Sequence, residues 1–384
     1  MSRRVNFMRF EVGMNRRCAT LAIALFFLSS ALPAAGQAAA DPRLNELLET
    51  VRRTHGVPAL AGAIVTLDGL AAAGAAGVRK AGTDVAVTID DEWHLGSDTK
   101  AMTAAMIGAL VERNTLTWET TPADVFPDLA AAMTAALRQV TLLQLLSHRA
   151  GLPANIAWGL IPRTGSTREQ RLAALKMSAS GQLIAEPGAK YLYSNLGYVI
   201  AGAMAEKASD AAWEVLMKNL VFDPLGMTGV GFGGTGAPGR VDQPWGHAAN
   251  GKPVASNGPD MDNPPVMGPA GTVHCPLRDW AKFIADQLRG ARGEKALLKE
   301  ETYKRLQTPP FGGDYALGWL VAERDWGGGT VLTHSGSNTM NLAVAWLAPR
   351  RGFAVIVVCS QGGPTASKAC DEAASKLIRL HLGE

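Results

Sequence analysis

The sequence predicts an α/β (α+β) fold in which an antiparallel sheet, built from both ends of the chain and flanked by helices, carries a mostly helical inserted lobe. Two apolar runs joined by a turn dipeptide stand near the start of the chain, and four further β-like runs stand near its end. The residues between them have the texture of short helices, loops and turns. We therefore expect one domain over residues 41–384, with a sheet lobe over about 41–95 and 300–384 and a helical lobe over about 96–299.

The first predicted elements are a helix and a hairpin. Residues 41–55 place apolar side chains on one helical face, with a proline in the first turn and Gly56 as a stop signal. The apolar runs 60–67 and 70–78 flank Asp68-Gly69, a dipeptide that tolerates positive φ. We therefore expect two strands before residue 95, packed against the first helix.

The middle of the chain is predicted to be helical and irregular. Thr141, the second residue of the stretch 140–148, can cap a helix, and residues 276–288 return to helical periodicity. Residues 231–271 are rich in Gly, Pro and Asn, so we expect a long loop region that shapes a binding site, with disorder as the alternative. Four β-like runs and a closing helix follow, at residues 316–321, 329–334, 342–347, 353–359 and 364–382.

The N-terminal residues have the order of a secretory signal peptide. Arg16 and Arg17 precede an apolar core of about eleven residues, which is followed by a run of small residues. This core is short for a membrane span, so we predict a signal peptide over residues 1–40, cleaved near Ala38 or Ala40. An uncleaved N-terminal anchor is the alternative. The expected location is periplasmic or extracellular, with no stable membrane anchor.

Charge and cysteine usage exclude several classes of protein. Residues 1–40 carry five arginines and one glutamate, so the formal charge of +3 becomes −1 without them. Because no basic patch remains, we expect no nucleic-acid partner. Beyond the predicted leader the cysteines are Cys275, Cys359 and Cys370, an odd number, and in an exported chain Cys359 with Cys370 is the favoured pair.

A serine and a lysine stand at a predicted helix start. Gly96 breaks the preceding structure, and Ser97 and Lys100, three residues apart, would project from one face of the helix. The next eleven residues carry no charge, so the helix belongs in a core, where the ammonium form of Lys100 is disfavoured. A neutral lysine beside a serine hydroxyl is a base beside a nucleophile. The alternative is an N-cap serine followed by a solvated lysine.

Two further stretches carry polar groups suited to acyl chemistry. Tyr193 and Asn195 are two residues apart, so in extended chain both face the same way, where a phenol can relay a proton and a carboxamide can bind a carbonyl. His334 is the last residue of a β-like run, and the backbone N–H of Ser337 could join that of Ser97 in an oxyanion hole. Taken alone, the first pair also fits a turn, and the histidine also fits a structural role.

Together the three motifs resemble those of the serine β-lactamase and penicillin-binding-protein superfamily. Ser97-Asp98-Thr99-Lys100, Tyr193-Ser194-Asn195 and His334-Ser335-Gly336 occur in that order, separated by roughly a hundred and a hundred and forty residues. The Tyr-x-Asn motif resembles the branch of class C β-lactamases and D-alanyl-D-alanine carboxypeptidases, which also includes D-aminopeptidases and esterases. Four more stretches resemble that branch, at residues 145–152, 223–227, 268–271 and 315–319.

The resemblance implies an acyl-enzyme mechanism without a cofactor or metal. Ser97 would attack a carbonyl, and Lys100 with Tyr193 would take up its proton and deliver it to the leaving group. Water would then release the acyl group. The resemblance assigns substrate-binding roles to Asn195, His334, Gly336 and Ser337. The expected partner is a small-molecule or peptide substrate, namely an ester, an amide or a cell-wall-type peptide.

One residue departs from the class C pattern. His334 stands where class C β-lactamases generally have a lysine, and histidine is largely neutral at pH 7. Strong β-lactamase activity is therefore not expected, and turnover is predicted to depend on pH between about 5.5 and 8, where a histidine titrates. A protein of another kind stays open, a non-catalytic penicillin-binding-like domain that binds or senses cell-wall peptides or β-lactams.

Overall fold

A computed structural model describes residues 40–258 and 261–384, which belong to one compact unit. The predicted signal peptide, apart from Ala40, lies outside these residues. The described strands are β1 (Ala59–Thr66), β2 (Gly69–Gly77), β3 (Glu92–His94), β4 (Gly231–Phe232), β5 (Val273–Pro276), β6 (Leu320–Arg324), β7 (Gly329–Ser337), β8 (Leu342–Ala348) and β9 (Phe353–Cys359).

Helices occupy both ends of the described residues and most of the middle. The described α-helices are α1 (Pro42–His55), α2 (Thr99–Glu112), α3 (Pro122–Val125), α4 (Ala135–Gln139), α5 (Leu142–Leu146), α6 (Thr167–Ser178), α7 (Asn195–Ser209), α8 (Trp213–Met217), α9 (Gly268–Gly271), α10 (Leu277–Ala291), α11 (Glu300–Gln307) and α12 (Gly363–Leu382). Within the described residues, no helix is long and apolar enough to cross a membrane.

The main sheet joins strands from the two ends of the chain. Its order is β2-β1-β9-β8-β7-β6, and every neighbouring pair is antiparallel. Helices α1 and α12 pack on one face, where they bury apolar side chains such as Leu44, Leu48 and Leu377. Helix α10 packs on the other face, which is continuous with the core around α2. The predicted α/β fold with an antiparallel sheet is confirmed.

Helix α2 runs through the core of the protein. Every residue from Thr99 to Leu110 is buried, as the uncharged sequence of this segment predicts. Lys100 is the one residue of this run whose side chain carries a basic group, and it has no exposed surface. The helix therefore holds a basic side chain in a place that excludes water.

A small second sheet aligns the chain ahead of α2. Its order is β3-β5-β4, with Trp93 opposite Cys275 and His94 opposite His274. The expectation of two strands before residue 95 is therefore wrong by one. Strands of two to four residues give no apolar alternation that sequence reasoning can detect.

The start of one predicted strand and the position of the hairpin turn also differ from the prediction. The expected strand at residues 316–321 begins only at Leu320, because Gly318 has a φ of +85° and lies against the backbone of Ala101. The hairpin turn consists of Leu67 and Asp68 rather than Asp68 and Gly69, and Gly69 opens β2 with a φ of +114°. Both differences arise where glycine takes a conformation that other residues rarely adopt.

The cysteine prediction is wrong. Cys275, Cys359 and Cys370, which are the cysteines of the described residues, are buried free thiols. Cys359 and Cys370 are neighbours, since contact with Cys359 and burial together raise the pKa of the Cys370 thiol. The two cysteines that the sequence favours as a pair therefore lie close together but do not form a disulfide.

Candidate active site

A tight turn places Ser97 between the small sheet and helix α2. Leu95 donates its N–H to Val273 of β5 at 2.9 Å, and a 3₁₀ turn over Gly96–Asp98 then leads into α2. Gly96 has a φ of +50°, and a Cβ at this position would lie 2.3 Å from the backbone nitrogen of Ser337. Only glycine allows this conformation together with this close approach to β7.

Lys100 is surrounded by oxygen atoms in the core. Its Nζ lies 3.1 Å from Ser97 Oγ, 2.8 Å from Asn195 Oδ1 and 2.7 Å from the Ala270 carbonyl oxygen. Burial lowers the pKa of Lys100 well below its usual range, although the nearby Asp98 carboxyl opposes this effect. A neutral amine would donate to the two carbonyl oxygens and keep its lone pair for the Ser97 hydroxyl.

Tyr193 contacts Ser97 from the other side. Its hydroxyl lies 2.7 Å from Ser97 Oγ, and its ring centroid lies 4.8 Å from Lys100 Nζ. Burial raises the pKa of Tyr193, so its phenol keeps its proton and donates to the serine oxygen. His148 supports the segment, because its ring packs 4.4 Å from the Tyr193 ring and its Nδ1 accepts the N–H of Ser194.

Asn195 begins α7 and connects Lys100 to a nearby loop. Ser194 caps the helix by accepting the N–H of Gly197, which fixes Asn195 in the first turn. The Asn195 carboxamide accepts from Lys100 through Oδ1 and donates through Nδ2 to Asn155 Oδ1 at 2.9 Å. The structure thus brings Asn195, Tyr193 and the Ser97–Lys100 pair together, as the motifs predict.

The end of β7 lies beside the turn that carries Ser97. In the described sheet, β6 pairs with β7 as far as Thr333, so the following residues of β7 face the turn that carries Ser97. A Cβ on Gly336 would lie 2.4 Å from the backbone nitrogen of Ser97. The backbone segments that carry the N–H groups of Ser97 and Ser337 therefore lie in direct contact.

His334 lies beneath this edge rather than at its surface. It is 4% exposed, its Nε2 lies 3.2 Å from the Tyr315 hydroxyl, and its Nδ1 lies 4.0 Å from Asp98 Oδ1. Burial, and to a smaller extent the charge that Lys100 carries when it is protonated, lowers the pKa of His334 to about 3. The imidazole is therefore neutral where the sequence-based expectation had it titrate, and a substrate-binding role for His334 stays a prediction.

Several residues of the site were not singled out from the sequence. The Ala270 carbonyl, His148 and Tyr315 fall in stretches recognised only as framework similarity, so a signal for their position existed without one for their role. Asn155 had no sequence signal. In the described residues, no group of three or more His, Cys, Asp or Glu side chains is arranged to hold a metal ion.

Fold and site together define the class of the protein. A buried lysine beside a serine at the start of a core helix, a tyrosine on the same hydroxyl and a strand edge opposite form an arrangement that can carry out acyl transfer. The chain is a member of the β-lactamase-like superfamily of serine hydrolases.

More narrowly, the chain belongs to the Beta-lactamase family, whose family model matches residues 44–379. It is 31% identical over 183 residues to penicillin-binding protein 4 of Amycolatopsis lactamdurans, covering 48% of this chain and 47% of that protein. The chain spans about half the length of the curated relatives it matches.

Solved structures show the same fold. The octameric penicillin-binding protein homologue from Pyrococcus abyssi superimposes with a TM-score of 0.71 at 21% identity, covering 89% of this chain and 77% of that chain. The D-alanine carboxypeptidase AmpC from Burkholderia cenocepacia gives a TM-score of 0.68 at 18% identity, covering 87% and 99%. At these identities the likeness establishes the fold and leaves the substrate open.

Proposed function

We propose that the protein is an exported serine hydrolase that cleaves an ester, amide or D-amino-acid peptide through an acyl-enzyme on Ser97. The observation that carries this proposal is the position of Ser97 Oγ, 2.7 Å from the Tyr193 hydroxyl and 3.1 Å from Lys100 Nζ. A serine in contact with both a buried amine and a phenol has a route for its proton as it attacks.

Acylation would move one proton through this cluster. The lone pair of neutral Lys100 takes the proton of Ser97 as its oxygen bonds to the substrate carbonyl carbon. The phenol of Tyr193 gives its proton to the leaving oxygen or nitrogen as that bond breaks, and recovers one from Lys100. The products of this step are the Ser97 ester and the released alcohol or amine.

Deacylation would repeat the steps with water as the nucleophile. Neutral Lys100, directly or through the phenol of Tyr193, takes a proton from water as the water oxygen attacks the Ser97 ester, and returns that proton to Ser97 as the carboxylic acid leaves. In both steps negative charge develops on the carbonyl oxygen. The N–H groups of Ser97 and Ser337 would bind this charge, and each such donor is typically worth ~3 kcal/mol.

The third motif supports a neutral substrate over an anionic one. His334 is buried and its pKa is lowered to about 3, so it offers no positive charge to a substrate carboxylate at neutral pH. This supports esters and amides over β-lactams, whose carboxylate a class C lysine would hold. The export part of the proposal is supported by the arginine, apolar and small-residue order of residues 1–40.

Intact-mass measurement tests the proposal. The full chain is mixed separately with an aryl ester, a penicillin and a D-Ala-D-Ala peptide, and the acyl adduct is followed with time. We expect an adduct that disappears by hydrolysis in the wild-type chain and no adduct in Ser97→Ala. Ser367→Ala, at an exposed serine of α12, serves as the matched control and should react as the wild type does.

The substrates also separate hydrolysis from binding alone. An adduct with the aryl ester that turns over supports the hydrolase. Ligand binding without any adduct, unchanged in Ser97→Ala, would instead support a non-catalytic domain and refute the proposal.

A further inference from the structure

A network of buried hydrogen bonds lies beside Ser97 and makes no hydrogen bond to its side chain. The N–H of Gly96 donates to His94 Nδ1 at 3.0 Å, and His94 Nε2 lies 2.8 Å from Asp262 Oδ2. The other oxygen of Asp262 accepts from Asn338 Nδ2 at 2.8 Å. The His94 and Asp262 side chains are 2% and 0% exposed, and Asn338 is also buried.

These hydrogen bonds determine which ring nitrogen of His94 carries the proton. Because Nδ1 accepts the N–H of Gly96, the proton of the neutral imidazole lies on Nε2, which donates it to Asp262. Asp262 then accepts from two donors, one from His94 and one from Asn338. A carboxylate is the side chain that accepts on both oxygens, which explains an acid at position 262.

The two ends of this hydrogen-bond network lie next to the two donors of the proposed oxyanion hole. Gly96 immediately precedes Ser97, the first donor. Asn338 immediately follows Ser337, the second donor, and its Oδ1 accepts the N–H groups of Met340 at 3.2 Å and of Asn341 at 2.9 Å. These bonds order the turn that ends β7.

We infer that His94, Asp262 and Asn338 are positioning residues that set the spacing of the Ser97 and Ser337 N–H groups. The inference rests on the proposed function, because it assigns the two N–H groups to an oxyanion hole. Such a hole works only when both donors lie about 3 Å from the oxygen that becomes charged. A connection made of buried hydrogen bonds across the two backbone segments keeps that distance without the substrate's help.

The variant Asp262→Asn removes one of the two hydrogen bonds that Asp262 accepts. An amide oxygen can accept from only one of the two donors, and the amide N–H₂ then faces the other. If it faces His94, the imidazole must move its proton to Nδ1, which places two donors, Nδ1–H and the Gly96 N–H, against each other. We expect the acylation rate constant for an aryl ester to fall about 10- to 100-fold, as for a misplacement of about 1 Å.

The exchange variant Asp262→Asn with Asn338→Asp restores every donor and acceptor. The amide at position 262 accepts from His94 Nε2 and donates to the carboxylate at position 338, which still accepts from Met340 and Asn341. We therefore expect the exchange variant to recover most of the wild-type rate. Recovery of the rate by a second substitution in the same hydrogen-bond network shows that the two positions act together, which two independent losses of stability would not give.

Single-turnover acylation and boronic-acid binding measure the effect. Phenylboronic acid forms a tetrahedral adduct with a serine and places an oxygen in the hole, so its affinity should fall and recover with the rate, while the dissociation constant of the intact ester stays constant. Asp286→Asn is the matched control, because Asp286 is also a buried acceptor of two donors, Leu297 N–H and the Tyr303 hydroxyl. It should lose stability and keep the acylation rate.

Nitrogen NMR of the histidines tests the connection independently of activity. We expect His94 to carry its proton on Nε2 in the wild type and in the exchange variant, and to move it to Nδ1 in Asp262→Asn where the amide N–H₂ faces His94. A wild-type His94 with its proton on Nδ1, or an exchange variant that stays as slow as Asp262→Asn, would overturn the inference. If the wild-type protein forms no acyl-enzyme, the proposed function is refuted instead. The tautomer of His94 then still shows whether the hydrogen-bond network exists.

Discussion

Gly96→Ala should separate Ser97 from β7 and slow acylation strongly. The added Cβ would lie 2.3 Å from the backbone nitrogen of Ser337 and 2.5 Å from the carbonyl carbon of Gly336. Both atoms are backbone, so neither can rotate away. Ordinary contact begins at 3.4 Å, so the two segments must separate by about 1 Å, a displacement that can cost about 100-fold in rate.

The same substitution also carries a cost in stability. Gly96 has a φ of +50°, and an L-residue in the left-handed region costs roughly 1 kcal/mol or more. Gly56→Ala is the matched control for this part, because Gly56 has a φ of +67° and nothing lies within 4 Å of its added Cβ. We expect Gly56→Ala to lower the free energy of unfolding by a similar strain and to leave the rate unchanged.

The assay is single-turnover acylation by an aryl ester, with thermal unfolding measured on the same samples. The expected result is a slow Gly96→Ala and a wild-type rate for Gly56→Ala, with both chains folded at the assay temperature. If folded Gly96→Ala acylates at the wild-type rate, the close approach of the two backbones has no part in catalysis and the proposed oxyanion hole is wrong.

Three further results are expected. The acylation rate should rise with pH as Lys100 loses its proton and should level off well below 10.5, because burial lowers the pKa of Lys100; a pH–rate profile measures this, and a rate that still rises near pH 10.5 would contradict it. His334→Gln should leave the profile between about pH 5.5 and 8 unshifted, since a pKa of about 3 keeps the imidazole neutral throughout; a lost inflection there would show that it titrates. Arg171→Met leaves Glu206 buried without its partner and should cost about 3–5 kcal/mol in urea unfolding, against under about 1 kcal/mol for Arg168→Met, which removes an exposed ion pair.

The parts of the site that the sequence predicted are those carried by side chains in short motifs. Ser97 and Lys100 are neighbours because a helix brings residues three apart onto one face, and the uncharged segment behind them predicted the burial of Lys100. Tyr193 and Asn195 reach the same place, although Asn195 does so from the first turn of a helix rather than from extended chain.

The parts that were missed depend on tertiary contacts. The Ala270 carbonyl is a backbone atom, which has no signature in residue types. His94, Asp262 and Asn338 are far apart in the chain, and each alone is an ordinary polar residue. The environment of His334 was also missed, because burial between Tyr315 and Asp98 lowers its pKa and no local sequence pattern reports that burial.

The pairing of β1 with β9 affects when the site can form. Leu60 lies opposite Cys359, so this pairing closes a loop of about 300 residues, and such distant contacts form late and slowly. The 3₁₀ turn that carries Ser97 and the helix α2 that carries Lys100 are held by local hydrogen bonds, whereas Ser337 arrives with β7 near the end of the chain. A chain whose last strands have not yet joined the sheet therefore lacks one of the two N–H groups of the proposed oxyanion hole, and under the proposed function its acylation is expected only after they join.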